Sequence, residues 1–280
     1  MQSLILGLLA ALLWGVHDFT VRRVSSKADS AALYVVVLGL GLLVLIPLVF
    51  VSGAWQGLSR DVIAISAPAG LIYALGVYAL YRAFTIGPVR LVAPICGAYP
   101  LLSIGIAIGR GQPADAMVWL AALAVLGGIA IIARGERETD SGSRRMAIGW
   151  SILAAGGFAL SFATLHAATQ NSENLQVTFI ARLAGFVGLL VWVLARRIPV
   201  MPALAVWPTL LLMGALDVGG MIAVTAAGGY ARPEFAAVSS SCFGLVTILL
   251  AWRLSGELLT PAQWVGAVLV FGGVVTLGLA

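Results

Sequence analysis

The sequence predicts an all-α membrane protein: ten transmembrane helices arranged as two inverted five-helix repeats. Three observations carry this. Of 280 residues, 61% are hydrophobic and only 10% charged, with a mean hydropathy of +1.06, whereas soluble domains carry about 25% charged residues. A soluble core of this length cannot hide so much apolar surface, but a bilayer does not ask it to. The second observation is a self-match across about 144 positions. Gly70, Gly76, Ala79, Ala83, Ala93, Leu101, Ile104 and Ala107 return as Gly214, Gly220, Ala223, Ala227, Ala237, Leu245, Ile248 and Ala251. After a one-residue slip, Trp119, Ala122, Gly127 and Gly128 return as Trp264, Ala267, Gly272 and Gly273. The third is the alternation of charge between successive connections.

A spanning helix needs about 20 mostly apolar residues. Ten such runs can be drawn, at 3–22, 31–52, 62–84, 88–109, 116–134, 146–169, 175–196, 203–228, 233–254 and 261–279. The first is read as a spanning helix and not a cleaved signal. No basic residue precedes it, and Trp14, His17 and Asp18 replace the small residues of a cleavage site. Only 135–145 is polar throughout, which predicts a linker between a first repeat, 1–134, and a second, 146–280.

Five helices are an odd number, so the second repeat must enter the membrane from the opposite side. The odd-numbered connections hold Arg22, Arg23, Lys27, Arg82, Arg90, Arg134, Arg137, Arg144, Arg145, Arg196, Arg197 and Arg253, and the even-numbered ones only Arg60, Arg110 and Arg232. The positive-inside rule then places the first set in the cytoplasm and both termini outside. The net charge of +5 would suggest nucleic acid for a soluble protein. Here the arginines sit at helix ends, where headgroups and topology account for them, and no nucleic-acid partner is expected.

An ionisable group inside the bilayer costs at least about 2.5 kcal/mol on insertion scales, so each one needs a reason. Asp217 lies near the middle of the eighth run and Arg182 within the seventh. They can lock two consecutive helices as a structural ion pair, or serve transport, with Asp217 carrying a coupling proton and either Asp217 or Arg182 meeting substrate. His17 and Asp18 fall late in the first run, with Trp14 one turn before Asp18 on the same face. A His beside a carboxylate can exchange protons with a lumen; alternatively Asp18 pairs with Arg22 and snorkels to water. Trp14 is the candidate aromatic platform for an apolar or planar ligand.

The fourth run holds Pro94, Gly97 and Pro100 within one and a half turns, around Cys96 and Tyr99. These should bend or open the helix. Its repeat partner, 238–244, holds Ser240 and Gly244. Paired interrupted helices near the midplane point to a transport site, with Tyr99 and Ser240 as polar contacts and Pro94, Gly97, Pro100 and Gly244 as hinges. The same small residues also suit close helix packing. Tyr78 adds polarity on the third run.

No HExxH, P-loop, Gly-x-Ser-x-Gly or paired-cysteine motif occurs, and Cys96 and Cys242 lie deep in apolar runs. No disulfide, metal or cofactor is therefore expected. An enzyme would require Ser103 or Ser161 to meet His17 or His166, which nothing in the spacing arranges.

Two further stretches carry a family resemblance. Residues 10–15, Ala-Ala-Leu-Leu-Trp-Gly, resemble the opening run of the EamA-type, ten-helix branch of the drug/metabolite transporter superfamily. Residues 256–266 are similar to its Gly-Glu-x-Leu-Thr-x-x-Gln-Trp-x-Gly signature. With the repeat, the resemblance covers nearly the whole chain. It implies alternating-access transport of small organic metabolites or drugs, usually efflux across the bacterial inner membrane, through a cavity lined by helices 1, 3, 4, 6, 8 and 9. The chain departs from the pattern at 111–115, so Glu257 has no twin, and Glu257 is expected to cap a helix or pair with Arg253. The expected partners are a small-molecule substrate, protons and the bilayer, with the protein a monomer or homodimer. The alternatives are a lipid or polyprenyl-carrier translocase, which needs a lateral portal, and a scaffold with a sealed interior.

Overall fold

A computed structural model of the protein describes residues 2–56, 59–109, 115–135, 140–170, 172–230 and 234–279. Among these residues all regular structure is helical: α1 (Gln2–Val24), α2 (Ser30–Ser52), α3 (Arg60–Ile86), α4 (Val89–Gly97), α5 (Tyr99–Gly109), α6 (Ala116–Gly135), α7 (Ser141–Thr169), α8 (Asn174–Ala195), α9 (Met201–Leu204), α10 (Trp207–Ala227), α11 (Glu234–Ser241), α12 (Phe243–Ser255) and α13 (Pro261–Leu279). Among the described residues, seven helical stretches are long and apolar enough to cross a membrane, and Val89–Ser103, Ala116–Ile132 and Pro261–Thr276 are shorter apolar stretches. Leu12, Leu43, Val51, Leu123, Leu194 and Val268 point outward and exposed, as lipid-facing side chains do. The chain is a multi-pass membrane protein.

Local sequence sets the boundaries. Asp29 accepts from Ala31 N–H at 2.8 Å and Ser59 from Val62 N–H at 3.2 Å, satisfying the open donors at the starts of α2 and α3. Gly53 and Gly256 end α2 and α12 at φ 75° and 69°, where a side chain would be strained. Asp140 caps α7 through Gly142 and Ser143 N–H. That helix therefore starts at Ser141 and absorbs Ser141–Arg145 from the expected linker; positions 136–139 lie outside the described residues.

Most of the repeated glycines, though not Gly127 and Gly272, sit where helices cross. A Cβ on Gly70 would collide with the backbone of Ala181 in α8, and one on Gly214 would lie 2.8 Å from Val37 O in α2. Gly157 of α7 packs against Gly76 of α3, and Gly220 of α10 lies under the Trp14 indole of α1. Small residues let backbones approach, which drives helix association where lipid provides no hydrophobic force. Thus α1 packs on α10 as α7 packs on α3, with α2 against α8 and α6 against α13.

Helices α4 and α5 are separated at Ala98, and α11 and α12 at Cys242, positions 144 apart. Each break is one tight turn. Ala98 N–H donates to Ile95 O at 3.3 Å and Cys242 N–H to Ser239 O at 3.2 Å, both i→i−3 bonds. The two broken helices cross here. A Cβ on Gly97 would lie 2.9 Å from Ser241 O, and one on Gly244 2.7 Å from Ala93 O. Pro94 lies inside α4, and Pro100 in the first turn of α5, where a missing N–H costs nothing.

Candidate functional site

Helices α1, α3, α7 and α10 converge on a central cavity, with the first residue of α12 at its edge. Its lining is Trp14, His17, Asp18, Tyr73, Val77, Leu80, Phe158, Phe162, Asp217 and Phe243. About 310 Å³ lies between the lining atoms, of which about 20 Å³ is open to a water centre. That is room for one water-sized group.

The charged side chains form two sets. Arg182 reaches from α8 and donates from Nη1 to Asp217 Oδ2 at 2.6 Å and from Nη2 to Val37 O at 3.0 Å. Only a glycine at 41 leaves space for that guanidinium. Tyr73 Oη donates to Asp217 Oδ1 at 2.8 Å, so both carboxylate oxygens are engaged. Asp217 and Arg182 thus join α8 and α10 across a contact 1–2% exposed.

The second set belongs to α1. His17 Nδ1 lies 2.9 Å from Asp18 Oδ1, and His17 Nε2 lies 3.2 Å from Tyr81 Oη. A neutral imidazole with its proton on Nδ1 satisfies both contacts. Asp18 Oδ2 and Trp14 Nε1 are buried with no hydrogen-bond partner among the described residues. The expected pairing of Asp18 with Arg22 does not form. Arg22 donates to Phe84 O at 2.9 Å and stands 3.6 Å from Glu257, while Asp18 is 2% exposed.

Aromatic rings make the walls. Trp14 stacks on Phe162 with centroids 5.5 Å apart, Phe162 stacks on Phe158 at 6.1 Å, and Tyr73 tilts against both phenylalanines. Tyr99 meets Phe162 edge-on at 5.4 Å and lies 2.8 Å from Ser240 Oγ, tying α5 to α11 behind the wall. Cys96 is buried against Ser151 O at 3.7 Å. Tyr78 meets Trp150 edge-on and lines a different recess, a groove between α3 and α8 with Leu71, Leu75, Gly188 and Trp192.

Trp14, His17, Asp18 and Asp217 therefore share the cavity; Tyr99, Ser240, Cys96 and Arg182 stand behind it, and Tyr78 lies elsewhere. Tyr73, Phe158, Phe162 and Phe243 were not singled out in the sequence. The repeat held the signal: they stand 144 positions from Asp217, Trp14, Asp18 and Tyr99. Neither Ser103 nor Ser161 bonds either histidine among the described residues. Their hydroxyls donate to Tyr99 O and Phe158 O, and His166 contacts Val224 O.

The two ends of the bundle differ. At one, Glu257 Oε2 accepts from Val89 N–H at 3.1 Å and Oε1 faces Arg22, joining the α12–α13 connection to α1 and α4. Glu257 does not pair with Arg253, because the turn at Gly256 carries it toward α4. At the other end Thr169, Ser172, Asn174, Thr225, Gly229 and Tyr230 line an open polar recess with about 390 Å³ for water centres.

A polytopic helical bundle with a buried, partly charged central cavity is the architecture of a membrane carrier. The family pattern of the EamA-like transporters matches residues 1–134 and 145–279, and the chain belongs to that family. It is accordingly a membrane transporter of small molecules. No curated protein matches the sequence. A solved crystal structure, described only as that of a protein, superposes with a TM-score of 0.68 at 14% identity, covering 99% of this chain and 97% of the other. That likeness concerns the fold alone.

Proposed function

We propose that the protein is a secondary-active exporter of small organic metabolites or drugs, working by alternating access in the bacterial inner membrane. The observation that carries this reading is the cavity of buried aromatic rings and carboxylates, where α1, α3, α7 and α10 converge beside two helices broken 144 residues apart. In this reading ten segments span the membrane as two inverted halves, 1–134 and 146–280. The breaks at Ala98 and Cys242 let each half bend at one depth, as carriers built from repeats do. The latch at Glu257 and the recess at Tyr230 are the two ends of the route. Arginine-rich connections face the cytoplasm and both termini face outward. Protons are the coupling ion, carried on Asp18 or Asp217.

The lipid-translocase reading needs a passage from the cavity to the bilayer. The groove between α3 and α8 shares no lining residue with the cavity, which favours a solute carrier.

Untargeted mass spectrometry of the medium from cells overproducing the protein tests the proposal. At least one small organic compound should accumulate outside the cells and return to background with Trp14→Ala. Identical media from wild type, Trp14→Ala and empty vector would refute export.

A further inference from the structure

An unmet polar atom of the cavity indicates what it takes. Asp18 and Asp217 bring two negative charges and Arg182 one positive. Asp217 is fully engaged by Arg182 and Tyr73. His17 contacts Asp18 through Oδ1 alone, and its other ring nitrogen faces Tyr81 Oη. Asp18 Oδ2 is left as the buried carboxylate oxygen without a hydrogen-bond partner among the described residues. A carboxylate oxygen left this way in a low-dielectric interior is costly unless a cation or donor meets it.

We propose that the cavity binds a monovalent organic cation, an ammonium or amidinium carried on a compact apolar body, with its N–H donating to Asp18 Oδ2. The inference rests on the transport reading and names the substrate class of that same site. Trp14, Phe158 and Phe162 line the same cavity as the carboxylate, and aromatic rings attract an organic cation through their quadrupole. Among the described residues, a bare calcium or magnesium ion finds no shell of about six oxygens there. An anion meets only the lone Trp14 Nε1–H, since the Arg182 guanidinium is held outside the lining by Asp217 and Val37. The open space fits one water-sized group, the size of an ammonium head. The body is accommodated as the aromatic walls part in the opening that transport requires.

Calorimetry on the purified full-length protein in nanodiscs at pH 7.5 tests this with three probes of similar shape: 2-phenylethylammonium, neutral 2-phenylethanol and anionic 3-phenylpropanoate. The cation should bind at least about tenfold tighter than the alcohol, the scale of a charge-assisted hydrogen bond, and the anion weakest. Asp18→Asn should erase the preference for the cation over the alcohol, and Asp18→Glu should retain it. Equal binding of cation and alcohol, preference for the anion, absence of binding by all three, or an undiminished preference in folded Asp18→Asn would each overturn the assignment. If Asp18→Asn does not fold, the wild-type ranking decides alone. Export in the medium assay uses none of these probes. Trp14-dependent export without cation binding would therefore remove the substrate class and leave the transporter.

Discussion

Tyr73 and Asp217 occupy the same position in the two repeats, 144 residues apart, and the tyrosine donates its hydroxyl directly to the aspartate at 2.8 Å. A duplicated position has diverged into donor and acceptor and now bonds to itself across the bundle. Tyr73→Phe keeps the ring and removes only the donor. It is expected to lower stability by about 1.5–3 kcal/mol, the range for a hydrogen bond to a charged group, read as a reduced thermal midpoint in detergent. An unchanged midpoint would mean that Asp217 finds another partner.

Arg182 and Asp217 are more deeply coupled. Arg182→Met leaves Asp217 charged and buried, and is expected to cost about 3–5 kcal/mol or prevent accumulation of folded protein. Arg182→Met combined with Asp217→Leu removes both charges and should recover much of that loss. If the double variant is no more stable than the single, the pair is not the unit that the geometry indicates.

The crossing of the broken helices depends on two absent methyl groups. Gly244→Ala places a Cβ 2.7 Å from Ala93 O, and Gly97→Ala places one 2.9 Å from Ser241 O. Each should destabilise by about 1–3 kcal/mol through overpacking. Gly272→Ala, with nothing within 4 Å of the added carbon, serves as the control and should match the wild type or exceed it. Thermal unfolding of the three variants side by side separates crossing from propensity.

Glu257 holds one end of the bundle through Val89 N–H and Arg22. Glu257→Ala should open that end more often. In a Cys242→Ser background, the remaining thiol, Cys96 on α4, should then react several-fold faster with a maleimide. Equal rates with and without the glutamate would mean the contact does not govern access.

The sequence made the fold legible because lipid imposes one rule on every residue. Apolar runs long enough to span had to become helices, and Pro94, Gly97 and Pro100 marked one break to within a turn. Its counterpart at Cys242 carries no proline, and only the repeat register pointed to it. The site was legible in part. Trp14, Asp18 and Asp217 stood out because an indole and two carboxylates are conspicuous in an apolar helix. Phe158 and Phe162 did not, because a phenylalanine in a membrane helix looks the same whether it faces lipid or a cavity. The pairing of Glu257 with Arg22 was hidden as well, since it depends on a glycine turn that redirects a side chain away from Arg253, its neighbour in sequence.

The breaks at Ala98 and Cys242 also divide the bundle mechanically. They leave four short rods, with α4 in contact with α12 and α5 with α11. Each end of the bundle thus has its own pair of rods, and the two pairs meet at the crossing of Gly97 with Ser241 and along the shared neighbours α1, α7 and α13. Distant changes that share no partner add in energy. Substitutions at the far tips of the two pairs, more than about 10 Å apart and touching no common residue, should therefore combine additively, whereas those at Gly97 and Ser241, where the pairs meet, should not.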